Sequence, residues 1–111
     1  AQNYSLIMAS PPKLTDEQRK AALEKAAEAR RVRAELKARI KMGSLSLRQV
    51  LEISDQNQIV SRTKVLAILE SMPKIGKVKA RRLMESIGIA ESRRLRGLGD
   101  QQRAALLAEF D

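Results

Sequence analysis

The sequence predicts an all-α fold of about five helices, one long and four short. Three observations predict it. Two Ser/Thr-x-x-Gln capping boxes, at residues 15–18 and 46–49, stand before runs of periodic apolar residues. Apolar positions recur at steps of three and four, the spacing of one helix face. No alternating β-branched run of strand length occurs in the 111 residues. That length suits one small domain with one modest core. The domain is expected over 14–111, with a long helix at 14–43 and a compact module at 44–111. The tail at 1–13 lacks periodicity, carries Pro11 and Pro12, and is expected to be disordered.

The first helix opens at the N-cap Thr15, with Gln18 reaching back, and should run to about Met42 and stop at Gly43. Ala22, Ala26, Ala29, Val32, Leu36 and Ile40 form its apolar stripe. The stripe begins as alanine alone. Alanine buries little area, so the first turns should project from the core. Ser46 and Gln49 open a second helix over about 47–54, with Leu45 and Val50 spaced as a hydrophobic staple. Residues 55–58 (Asp-Gln-Asn-Gln) read as a polar turn. A third helix, about 62–71, turns Val65, Leu66 and Leu69 inward. Pro73 ends it, because a residue before proline is pushed out of the helical region.

Gly76 permits a tight turn into a fourth helix, about 77–87, with Val78, Leu83 and Ile87 as core candidates and Ala80 and Met84 at a helix contact. Gly88 suits the position after its C-terminus. A loop rich in Arg and Gly follows over 90–99. Asp100 is placed as the cap of a last helix to about Glu109, with Ala104, Leu107 and Phe110 facing in.

The chain carries a net charge of +9. Within 72–96 there are eight cations (Lys74, Lys77, Lys79, Arg81, Arg82, Arg93, Arg94, Arg96) against two acids, Glu85 and Glu91. Such a field attracts polyanions, nucleic acid or an anionic membrane surface. No segment approaches the roughly 18 consecutive apolar residues of a membrane span. The first residues lack the charged and apolar regions of a signal peptide, and Met8 is a candidate native initiator. With no Cys and no His, the chain has no thiol nucleophile, imidazole base, disulfide or usual zinc ligand. No clustered carboxylates replace them, so neither catalysis, a cofactor nor a metal is expected. Tyr4 and Phe110 are the only aromatics. Single strands are usually held by stacking on aromatic rings, so a duplex fits this chain better.

Residues 73–80 join two helices by a short turn. The first amides of the second helix lack intrahelical partners and lie at the positive end of its dipole, a ready anion site. Gly76 would let a phosphate approach closely. Ile75 and Val78 would plug the turn into the core, while Lys74, Lys77 and Lys79 surround it and Arg81 and Arg82 extend it. Alone, this reads as an ordinary hairpin with a solvated basic face. Arg93, Arg94 and Arg96 change the balance, since guanidinium groups bond phosphate bidentately and suit narrow minor grooves. Leu95 and Leu98 would anchor their loop. Gly76-Lys77 is not a P-loop: there is no preceding strand and no first glycine at that spacing. Arg30, Arg31 and Arg33 read equally well as a solvated face or as a second phosphate contact.

On the stretches at 14–37, 63–80 and 91–110 the chain resembles the actinobacterial (mycobacterial-type) integration host factors. The resemblance implies a helix–two-turns–helix DNA-binding module behind a long N-terminal helix. It implies a cytoplasmic, nucleoid-associated monomer that binds double-stranded DNA with little sequence preference and bends it. Some members assist phage integrase on attachment-site DNA, which makes an integrase a candidate partner. Carried onto this chain, the first contact segment is Met72, Pro73, Lys74, Ile75, Gly76, Lys77, Val78 and Lys79, with Arg82 beside it. The second, lid-like, spans 90–102 and includes Ser92, Arg93, Arg94, Leu95, Arg96, Gly97, Gly99 and Gln102. The hairpin also looks like that of a small-subunit ribosomal protein and of some DNA-repair glycosylases, which usually read Gly-Ile-Gly at the turn. Here Lys74 replaces the first glycine. A glycosylase needs a separate catalytic domain, for which this chain is too short. Two readings compete with duplex binding: a ribosome-associated protein gripping structured RNA with the same hairpin, and an interaction protein whose alanine-rich helix docks a partner.

Overall fold

The computed structural model describes residues 14–110. The expected disordered tail and the candidate initiator Met8 lie outside them. The described residues form six α-helices and one 3-10 turn, with no strand. They are α1 (Asp16–Lys41), α2 (Leu47–Ser54), α3 (Gln58–Ser61), α4 (Val65–Ser71), α5 (Lys77–Ile87), the 3-10 turn (Leu95–Gly97) and α6 (Asp100–Phe110).

Both capping boxes form. The Gln18 N–H donates to Thr15 Oγ1 at 3.1 Å and the Thr15 N–H to Gln18 Oε1 at 3.0 Å. Ser46 and Gln49 repeat the exchange at 3.2 and 2.9 Å. Each cap contributes about 1 kcal/mol to its helix. Gly43 and Gly88 follow α1 and α5 in the left-handed region, with φ of +80° and +85°. Beyond Gly88, the Ile89 N–H donates to the Met84 carbonyl at 2.8 Å, a Schellman-type closure. Met72 ends α4 in extended geometry, φ −66° and ψ 140°, as the following proline demands.

The core gathers Leu36 and Ile40 of α1, Leu47, Val50 and Leu51 of α2, Val60, Val65, Ile68 and Leu69, Ala80 and Met84 of α5, Ile89, Leu95 and Leu106. α1 packs on α3 and α4, α4 on α5, and α6 on α2 and α5. Ala22 and Ala26 are exposed, and Leu23 is 65% exposed, so the first half of α1 projects as its composition predicts.

Five expectations need correction. The polar turn at 55–58 is cut short by an extra helix, because Asn57 caps one turn, its Oδ1 accepting from Ile59 N–H (2.9 Å) and Val60 N–H (3.2 Å). The next helix therefore begins at Val65, not 62: Lys64 is held extended by its bridge to Arg94 in the 90–99 loop. Val78 is 62% exposed and plugs nothing. α5 buries Ala80 and Met84, and Val78 stands about 200° round the helix from Ala80. In α6, by the same rotation, Ala104 is exposed while Leu106 is fully buried. Asp100 is the first helical residue, not the cap. Gly99 fills that role: its carbonyl accepts from Arg103 N–H at 2.9 Å and its N–H donates to Gln102 Oε1 at 3.1 Å.

Candidate nucleic-acid interface

The hairpin joins α4 to α5 through Met72–Pro73–Lys74–Ile75–Gly76. The Ile75 N–H donates to the Met72 carbonyl at 3.2 Å, and Met72 and Ile75 pack partly buried against the core. The conformational burden of the turn falls on Lys74, not on glycine: Lys74 has φ +67°, whereas Gly76 is extended with φ −100° and ψ −178°. A non-glycine residue pays steric cost in the left-handed region. Lys74 thus takes a positive φ that glycine would adopt without that cost. Nothing lies within 4 Å of where a Cβ on Gly76 would stand, so the space before α5 is open to solvent.

α1, α2 and α3 each have a side chain capping their N-terminal amides; α4 and α5 have none. The amides at the start of α5 point out beside exposed Pro73, Lys74, Lys77, Val78 and Lys79. Lys74, Lys77, Lys79 and Arg82 make no hydrogen bond or ion pair within the described chain. Arg81 does, to Glu91 (Nε to Oε1 3.2 Å), which lowers its share of the free positive charge.

The arginine loop is built differently. Arg93 carbonyl accepts from Val65 N–H and Thr63 carbonyl from Leu95 N–H, both at 3.0 Å, a two-bond bridge that pairs Lys64 with Arg94. Arg94 Nη1 donates to the Arg62 carbonyl. Arg93 folds back over the 3-10 turn and donates from Nη1 to Gly97 O at 2.8 Å. A Cβ on Gly97 would sit 3.0 Å from Arg93 Cδ, so glycine makes room for that fold-back. Leu95 is 3% exposed and anchors the loop, with Leu98 partly buried behind it. Ser92 and Arg96 are exposed, and Arg96 makes no bond within the described chain.

Of the residues expected in the lid, two are structural. Leu95 is a core anchor and offers no surface to a ligand. Gln102 bridges the loop, accepting from Gly99 N–H and donating from Nε2 to Gly88 O at 3.1 Å. Arg103, unexpected from the sequence, ties α6 to the end of α2 with a bidentate pair to Asp55, Nη1 to Oδ1 2.9 Å and Nη2 to Oδ2 2.7 Å. The Arg103 hydrogen bonds hold the Asp55 carboxyl below its ordinary pKa.

The 72–96 span is thus two basic points rather than one patch. The loop is bonded to the N-terminal end of α4 and the hairpin leaves its C-terminal end, about 10 Å away by helical rise. The 63–65 bridge also carries Arg62 and Lys64, both exposed, to the loop. Their register with the loop is set by the fold and cannot be read from spacing, so nothing in the sequence marks them. On α1, Arg30 and Arg33 share a row with Lys37 and Lys41 at steps of three, four and four. Arg31 lies off that row, three residues after Glu28 and four before Glu35. Lys37 and Lys41 were legible by the same counting.

Among the described residues no three Asp or Glu gather to hold a metal, and no helix is long and apolar enough to cross a membrane.

Residues 40–110 match the S13-like H2TH (helix–two-turns–helix) domain family. The chain is 59% identical over 100 residues to the integration host factor of Mycolicibacterium smegmatis, covering 90% of this chain and 95% of that protein. It is 59% identical over 99 residues to that of Mycobacterium tuberculosis (89% and 94% covered) and 55% over 103 residues to that of Streptomyces coelicolor (93% and 95%). The solved structure of sIHF bound to an 8-bp palindromic DNA superposes with a TM-score of 0.77 at 51% identity, over 79% of this chain and 99% of that one.

Proposed function

The chain belongs to the actinobacterial integration host factor family, and we propose that it is a nucleoid-associated architectural protein that grips double-stranded DNA at two points without reading its sequence. The observation that carries this reading is the pair of basic points at the two ends of α4, one an uncapped helix start ringed by lysines, the other a stapled arginine loop. A similar chain, 51% identical, is seen bound to a DNA duplex.

At the hairpin, the free amides of α5 with Lys74, Lys77 and Lys79 hold phosphates of one strand, and Arg82 extends the contact. At the loop, Arg96 reaches outward to the backbone or an adjacent groove. Arg93 and Arg94 add charge there while keeping their backbone bonds. Contacts of this kind position the duplex and carry no base code, so any sequence bias comes from deformability and groove width. A two-point grip favours duplex that curves to meet both points, which is the bend. The same bend would let a phage integrase bring separated attachment-site segments together. The protein acts as a monomer, since a single chain carries both points. Arg30 and Arg33 supply a further contact along α1.

The test is fluorescence anisotropy on a random-sequence duplex across a salt series. If about five phosphates are neutralised, log K falls against log salt with a slope of roughly −4 to −5. The Lys77→Ala/Arg96→Ala variant, folded by circular dichroism, should bind weaker and with a shallower slope. A wild-type slope near zero excludes the mechanism. Structured RNA outcompeting the duplex at matched salt would transfer the hairpin to RNA.

A further inference from the structure

We infer that α1 forms the second wall of the hairpin's phosphate site: Lys37 and Lys41 face Lys74 and Lys77 across a groove that one DNA strand enters. This rests on the duplex-binding reading and extends it to residues outside both expected contact segments. The groove lies between the C-terminal half of α1, the end of α4 and the hairpin, and Gly76 lies on its lining. Four lysines line it against one acid, Glu70. They come from two separate elements, so their convergence is a product of the fold and not of a local charge run.

The charges on α1 are sorted by face. Arg30, Arg33, Lys37 and Lys41 follow one another at steps of three and four along one flank. Glu17, Glu24, Glu28 and Glu35 follow at seven, four and seven along another, about 160° round from Lys37. A polyanion seated on the hairpin therefore meets cations if it runs along the first flank and acids if it runs along the second. Lys37 and Lys41 are exposed and make no hydrogen bond or ion pair within the described chain, so nothing structural holds them in place of a ligand. Their long stems let the ammonium groups reach a phosphate at the groove mouth while the carbons lie on the helix surface.

The decisive experiment is the salt dependence of duplex binding, by anisotropy, for the full chain and three double variants. Lys37→Gln/Lys41→Gln removes the wall. Lys37→Arg/Lys41→Arg keeps its charge. Lys20→Ala/Arg39→Ala removes two charges from outside the basic row. Two lost phosphate contacts make the log–log slope shallower by about 1.8. That change is expected for the glutamine variant, with the arginine variant and the control keeping the wild-type slope. A glutamine variant with the wild-type slope, or a control with an equal loss, would overturn the groove while leaving the duplex reading intact. Wild type that does not bind duplex would instead sink the underlying reading. Thermal unfolding of each variant guards the result: both lysines are exposed, so melting should match wild type, and a slope change in a variant that melts normally is a binding effect.

Discussion

At residues 72–79 the backbone stands open, its lysines make no bonds within the described chain, and its helix start is uncapped. At residues 92–97 two of three arginines donate to backbone carbonyls, the chain is bridged to 63–65, and Leu95 is driven into the core. The two segments carry like charge in like amount, yet only the first spends all of its cations outward. Charge counted along a sequence therefore overstates what the loop can offer a ligand and understates what it does for the fold. The hairpin should be sensitive in binding and silent in stability. The loop should be sensitive in both.

The sharpest way to break that contrast is at the apolar anchors. Leu95→Ala empties a position that is 3% exposed and should cost about 2–5 kcal/mol in urea unfolding. Val78→Ala in the hairpin segment trims a side chain that is 62% exposed and should stay within about 0.5 kcal/mol of wild type. Equal losses at the two would mean that the hairpin is anchored as the loop is.

Next come the arginines. Arg94→Ala removes a charged donor from the Arg62 carbonyl and should cost about 1 kcal/mol, since the freed carbonyl can turn to water. Arg96→Ala removes no internal bond and should leave stability within about 0.5 kcal/mol while making the salt slope shallower by about 0.9. If Arg94→Ala melted like wild type, the staple would be decorative and the loop would be as free as the hairpin.

Much of this is legible in the sequence. Both capping boxes, the arrest of α4 before Pro73 and the bounds of α5 follow from local rules, because each is settled within a few residues by its own hydrogen bonds and sterics. Two misreadings are local: Asn57 caps a turn of its own, and Gly99 rather than Asp100 stands before α6. The others involve partners distant in sequence. Val78 and Ala104 read as inward on hydrophobicity, but which face of a short helix is buried depends on the neighbours it meets. The late start of α4 at Val65 is imposed by Arg93 and Leu95, some thirty residues on. Gln102 and Arg94 look like ligand contacts in sequence and turn out to bond Gly88 and Arg62. The free cations of the hairpin were legible because nothing in the fold claims them.

Lys74 sharpens the contrast from the other side, since here the open segment carries a structural cost. With φ at +67° the lysine sits where a side chain loses about 1–2 kcal/mol. Lys74→Gly recovers that, less the entropy glycine adds to the unfolded chain, for a net gain of about 0.5–1 kcal/mol. It also removes one cation, so the salt slope of duplex binding should become shallower by about 0.9. Stability and affinity then move in opposite directions at a single residue. A variant that lost both would show that Lys74 packs into the hairpin instead of reaching out of it.

The smallest effect concerns the tie between α2 and α6, and it is read through pH. Asp55 at the end of α2 takes two hydrogen bonds from Arg103 of α6, and those bonds lower its pKa from the ordinary value of 3.8. A carboxyl whose pKa is depressed on folding contributes stability that is complete above its unfolded pKa and is lost as pH falls through the folded one. The pair is solvent-exposed, so screening keeps its contribution small. Asp55→Asn should therefore melt slightly below wild type at neutral pH. The difference should shrink below about pH 4 and vanish once wild-type Asp55 is itself protonated. Added salt at neutral pH should narrow the same gap. A difference that persisted unchanged at pH 2 would assign Asp55 a steric role at the end of α2.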